Sequence, residues 1–102
     1  MVIEVKWTIY SIEDISNIAE FISKDSIQYA RVQTERFFER AEILNSFAEA
    51  GRLVPEIDLP NIRELIEGNY RIIYRVISDT RIDILTVHHS SRALQNNLFL
   101  NR

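Results

Sequence analysis

The segment 62–89, IRELIEGNYRIIYRVISDTRIDILTVHH, decides how this chain folds. Three runs rich in isoleucine, valine, leucine and tyrosine, at 62–67, 70–77 and 81–88, are divided by Gly68-Asn69 and by Ser78-Asp79-Thr80. β-Branched and aromatic residues in short runs favour strands. A Gly-Asn pair is a two-residue hairpin signal, and the polar triplet is a second turn. The segment therefore predicts a three-stranded antiparallel meander.

Its middle run, YRIIYR, carries two arginines. Residues four apart on a strand share a face, so Arg71 and Arg75 leave the sheet together and Tyr70, Ile72 and Tyr74 leave by the other side. A loop at 78–80 pairs Ile77 with Arg81, hence Arg75 with Asp83 and Arg71 with Val87. Arg75 then has a cross-strand ion-pair partner. Arg71 lies among Ile73, Leu85 and Val87, with His89 its nearest titratable neighbour. An arginine between apolar residues is costly unless an anion meets it, which makes Arg71 the leading candidate for function.

Both faces of the meander are apolar. Leu65, Ile72, Tyr74, Val76, Ile82 and Ile84 fall on one, and Ile62, Ile66, Ile73, Ile77, Leu85 and Val87 on the other. Elements that can cover them lie on either side in the chain. Ile3, Val5 and Trp7 alternate with Glu4 and Lys6, an N-terminal strand. Ser11 with Asp14 resembles a capping box for a helix through Ile22, and Asp25-Ser26 can cap a second, which runs from Ile27 through Ala48 to a stop at Gly51. Pro55 and Pro60 mark a loop, and Ser90 or Ser91 can cap a short C-terminal helix with Leu94 and Leu98. The expected fold is α+β: N-terminal strand, helical hairpin, three-stranded meander and short C-terminal helix. The hairpin covers one face. The second face needs the C-terminal helix, a partner protein, or both.

A length of 102 residues fits a single domain, 1–102. The absence of cysteine excludes a disulfide scaffold, a thiolate zinc site and a cysteine nucleophile. His88 and His89 are adjacent in an extended segment, so their side chains diverge, and neither a metal nor another cofactor is expected. MVIEVKWTIY lacks the apolar core and cleavage site of a signal peptide, and no later run approaches membrane-spanning length, so a cytoplasmic protein with no membrane contact is expected. The formal charge is −3. Residues 1–50 hold nine acids and five bases, for −4, whereas 51–102 hold six acids and seven bases, for +1, and all seven are arginine. Arginine suits planar, bidentate contact with carboxylate or phosphate, which places the expected working surface in the second half.

With GRLVPE, IREL, GNYRIIYRV and ILTVHHSSR in this order, the chain resembles the RelE/ParE superfamily of toxins from type II toxin-antitoxin systems, and within it the ParE-like plasmid-stabilisation branch. The resemblance runs from Trp7 to about Arg92. It implies a small toxin neutralised by a cognate antitoxin that wraps across it. RelE-like members are ribosome-dependent mRNA endonucleases that act as mRNA interferases, whereas ParE-like members inhibit DNA gyrase; a non-catalytic antitoxin-binding relative is a third possibility.

Carried over by position, the resemblance gives Arg71 the role of phosphate clamp, Glu56 of general base and His89 of general acid. The loop from Leu53 to Asn61 has no lysine, no tyrosine follows Tyr74, and the chain is acidic, which favours gyrase over the ribosome and mRNA as target. Arg52, Arg63, Arg71, Ile73, Leu85, Val87 and Arg92 form the expected surface for target or antitoxin. Among these, Arg63 also has a structural reading opposite Tyr74, and Arg52 one at the negative end of a helix dipole.

Overall fold

A computed structural model describes residues 2–92 and 94. Strand β1 (Glu4–Trp7) leads into helices α1 (Ile9–Ser23) and α2 (Ile27–Ala41), a 3₁₀ turn at Glu42–Asn45, and strands β2 (Arg52–Leu53), β3 (Ile62–Glu67), β4 (Tyr70–Ser78) and β5 (Arg81–His89). The five strands form one sheet in the order β1-β5-β4-β3-β2, with β1 parallel to β5 and the other pairs antiparallel. The α+β architecture and the meander are as the sequence predicts. The short strand β2 adds a partner to the outer edge of β3. The expected C-terminal helix falls mostly on residues outside those described.

Both helices differ from the expectation at their ends. Thr8, not Ser11, caps α1, accepting from the Ser11 N–H at 3.3 Å, while the buried Ser11 hydroxyl donates back to the Thr8 carbonyl. Ser26 caps α2 as expected, accepting from the Tyr29 N–H. The second helix stops at Ala41 and tightens into the 3₁₀ turn, which seats the fully buried Leu44 under the sheet.

The helices cover one sheet face, where Ile15, Phe37, Ala41 and Leu44 meet Leu65, Ile72, Tyr74, Ile82, Ile84 and Val87. The other face carries a smaller cluster of Val54, Ile57, Ile62, Ile73 and Leu85, with Leu94 packed against it. Val54 and Ile57 come from the loop after β2. That loop, together with Leu94 of the segment expected as the C-terminal helix, covers Ile73 (0% exposed) and Leu85 (8%), which are not available as a surface.

Gly68 has a φ of 58° between the paired Glu67 and Tyr70, the left-handed conformation a two-residue hairpin demands of its first central position. Gly51 is required for a different reason. Its N–H donates to Tyr74 Oη at 2.9 Å, Tyr74 donates to the Ala48 carbonyl at 2.8 Å, and a Cβ on Gly51 would lie 2.5 Å from the Glu64 carbonyl oxygen.

The register of β4 against β5 shifts between Ile73 and Tyr74, because Tyr74 pairs with Ile84 while Ile73 pairs with Thr86. Leu85 is the extra residue, the pattern of a β-bulge. Arg75 is opposite Asp83 as expected, but beyond the bulge each β5 residue moves by one and faces the other side. Val87 consequently belongs to the helix-side core, and Arg71 pairs with His88 rather than Val87. The expected Arg75–Asp83 ion pair does not form either. Asp83 accepts from Arg81 on its own strand, two residues away, at 3.0 Å.

Candidate functional site

On the sheet face away from the helices, four charged residues form a continuous chain. The tight turn at Gly68 pairs Ile66 with Arg71 and Glu64 with Ile73, which sets Glu64 diagonal to Arg71 on one face, within reach of long side chains. Arg71 Nε donates to Glu64 Oε1 at 2.6 Å. Strand β2 brings Arg52 directly opposite Glu64, and Arg52 Nε donates to the second oxygen, Oε2, at 2.6 Å. The remaining edge of Arg71 is taken by Glu56, with Nη1 to Oε2 at 2.6 Å and Nη2 to Oε1 at 2.7 Å. The order is Arg52, Glu64, Arg71, Glu56, with two charges of each sign.

Burial makes this chain unusual. The Glu64 side chain is 0% exposed and that of Arg71 7%, whereas Glu56 retains 40% and Arg52 62%. Two opposite charges thus sit inside the protein, each with its nearest hydrogen-bonding atoms occupied, the condition under which a buried ion pair is tolerated. The Arg71 guanidinium beside Glu56 holds its carboxyl down at about 2, against an ordinary value of 4.5. The two carboxylates in turn push the Arg71 guanidinium further up.

The structure corrects the isolation expected of Arg71. Its partners come from β3 and the 54–57 loop, not from β5. Glu64 was not among the expected site residues, although the signal was present: the Gly68-Asn69 turn already defined the β3–β4 register that puts Glu64 beside Arg71.

Of the other expected site residues, Arg63 is opposite Tyr74 as anticipated, and its Nη1 donates to the Gly51 carbonyl at 2.9 Å, a structural contact. Arg92 is exposed, and its carbonyl bonds His88 Nε2 at 3.1 Å. His89 is separated from Glu56 and Arg71. It pairs with Tyr70 across the strands, its ring stands edge-on to Tyr70 at 5.3 Å, and Tyr70 in turn packs on Phe37 of the helix side. Its Nδ1 is engaged by Ser91. Glu56 and Arg71 meet, then, but the expected acid, His89, does not join them, and a carboxylate held near 2 in a bidentate pair is a weak base at neutral pH. Among the described residues no group of three or more histidine, aspartate or glutamate side chains is placed to hold a metal, and no helix is long and apolar enough to cross a membrane.

Solved structures that share this fold include two from toxin-antitoxin systems. The chromosomal ParDE toxin-antitoxin system of P. aeruginosa is similar with a TM-score of 0.71 at 22% identity, covering 86% of this chain and 96% of that one. The RelBE2 toxin-antitoxin complex of Mycobacterium tuberculosis is similar with a TM-score of 0.63 at 21% identity, covering 90% of this chain and 95% of that one. No curated protein matches the sequence significantly. The family model of the ParE toxin of the type II toxin-antitoxin system parDE matches residues 5–94, nearly the whole chain, and the protein belongs to that family.

Proposed function

We propose that this toxin arrests bacterial growth by inhibiting DNA gyrase in the cytoplasm and is neutralised by a cognate antitoxin. The observation that carries the choice of target is the placement of Arg71, Glu56 and His89. A nuclease of the RelE kind must bring base, acid and phosphate clamp around one ribose. Here Arg71 has both edges occupied by carboxylates, and His89 lies on the helix side of the sheet. A gyrase poison needs no such convergence. The net charge of −3 further opposes docking on ribosomal RNA.

An antitoxin partner is supported by family membership and by the two similar structures, both from toxin-antitoxin systems. Its contact surface is proposed around the exposed end of the charge chain. Arg52 is largely in solvent there, and Ile66, opposite Arg71 on β3, is 41% exposed. Induction of the protein alone in a bacterial host is expected to stop growth, and co-expression of a small protein encoded beside it to restore growth. Normal growth with soluble protein present contradicts the reading.

A further inference from the structure

We infer that Glu56 is an exchangeable occupant of an oxyanion site, and that a carboxylate side chain of an acidic protein partner takes its place on the Arg71 guanidinium. This rests on the reading of the chain as a toxin held by an antitoxin. The asymmetry of the charge chain carries it. Glu64 is closed off from water and Arg71, 7% exposed, faces it only past Glu56, whereas Glu56, 40% exposed, can turn into solvent by side-chain rotation alone.

The backbone beneath Glu56 is fixed. Val54 (2% exposed) and Ile57 (5%) insert into the core on either side of Pro55-Glu56, and the Ile57 N–H closes the turn onto the Val54 carbonyl at 3.0 Å. The loop therefore keeps its shape while the carboxylate leaves, and the site that remains is already built. It consists of the Arg71 Nη1 and Nη2 groups in one plane, oriented from behind by the bond of Nε to Glu64.

With Glu56 turned out, Arg52, Glu64 and Arg71 carry one net positive charge. A single carboxylate restores neutrality, and its planar pair of oxygens matches the planar fork in two parallel bonds. A nucleic acid strand brings more negative charge than the site absorbs and meets a protein of net charge −3, so an acidic side chain fits better. In the free protein Glu56 keeps the Nη edge of Arg71 from being left without an acceptor, while Glu64 holds Nε. Exchange replaces one charge-assisted pair by another, and the exposed Ile66 beside Arg71 offers the partner an apolar contact next to the anion.

The test uses the full chain, acetate and inorganic phosphate, with the Arg71 Nε–H resonance as reporter. Removing the internal carboxylate in Glu56→Ala is expected to give saturable acetate binding roughly ten- to a hundredfold tighter than in the unaltered protein, the range a charge-assisted bond supports. Glu56→Gln serves if the alanine variant does not fold. A folded variant with no saturable acetate response overturns the proposal, and so does preference for phosphate over acetate, which would assign the site to nucleic acid. In the antitoxin complex, the Glu56 carboxyl followed by ¹³C NMR should move from about 2 to near its ordinary value of 4.5. A complex that forms while Glu56 still titrates near 2 overturns the exchange and leaves the toxin reading intact. If no complex forms, the toxin reading fails, and the acetate titration still decides whether Arg71 is an exchangeable site.

Discussion

Glu64 has two guanidinium partners and no contact with water, and the charge chain depends on it. Removing one member of a buried ion pair typically costs about 3–5 kcal/mol, because the other charge stays behind without compensation. Glu56 differs in being open to solvent, and its contribution is read best through pH. Its carboxyl sits lower in the folded protein, about 2, than in the unfolded chain, near 4.5, so the unfolded state binds more protons between those values. Stability from this group is complete above about 4.5 and is lost as pH falls toward 2. Urea unfolding across this range should show an acid limb that flattens in Glu56→Gln, and identical pH slopes in the two proteins would show that the pair contributes nothing. The sequence pointed to Arg71 through its apolar neighbours, and the anion demanded there does exist. It lies within the same chain, at Glu64 and Glu56, and the β3–β4 hairpin register rather than the β4–β5 one was the place to find it.

Between elements, the least obvious junction is where β1 ends beside β5. Strand β1 pairs with β5 only as far as Trp7 opposite Ile84, so the β5 edge beyond that point lacks a strand partner on that side. Helix α1 closes it. Thr8 Oγ1 donates to the Ile84 carbonyl at 2.7 Å, and one oxygen of Asp14 accepts both the Val87 N–H at 3.1 Å and the Thr86 hydroxyl. Asp14→Ala leaves that amide without its acceptor, and a loss of about 1–3 kcal/mol is expected. Hydrogen exchange should show the Val87 amide protected in the unaltered protein and fast in the variant; equal protection would mean that Asp14 is not its partner. The elements themselves were legible because alternation and 3,4 spacing are local signals, as in Ile3-Val5-Trp7 or Ile27-Ala30-Thr34-Phe37. The shortened second helix was not, since Leu44 and Ala48 continue the helical spacing past Ala41 although the chain there tightens and turns. Nor was the bulge at Leu85, where an unbroken run of apolar residues carries no mark of which one is extra. That single residue moved Val87 to the helix side and turned His89 away from Arg71.

Taken whole, the molecule places its helices on one sheet face and a charge chain, capped by a two-proline loop, on the other. On the second face Val54, Ile57 and Leu94 pack over Ile62, Ile73 and Leu85, Glu56 closes the outer edge of Arg71, and Ile66 stays 41% exposed. Among the described residues, His89 does not converge with Glu56 and Arg71 as the expected acid, base and phosphate clamp would. The proposal of gyrase over messenger RNA as target rests on that arrangement, and supercoiling of relaxed plasmid DNA by gyrase in the presence of the purified toxin tests it most directly. The account predicts that supercoiling is inhibited, and that primer extension on RNA from expressing cells shows no codon-positioned cuts. Unimpeded supercoiling together with such cuts, abolished by Arg71→Ala, would contradict it.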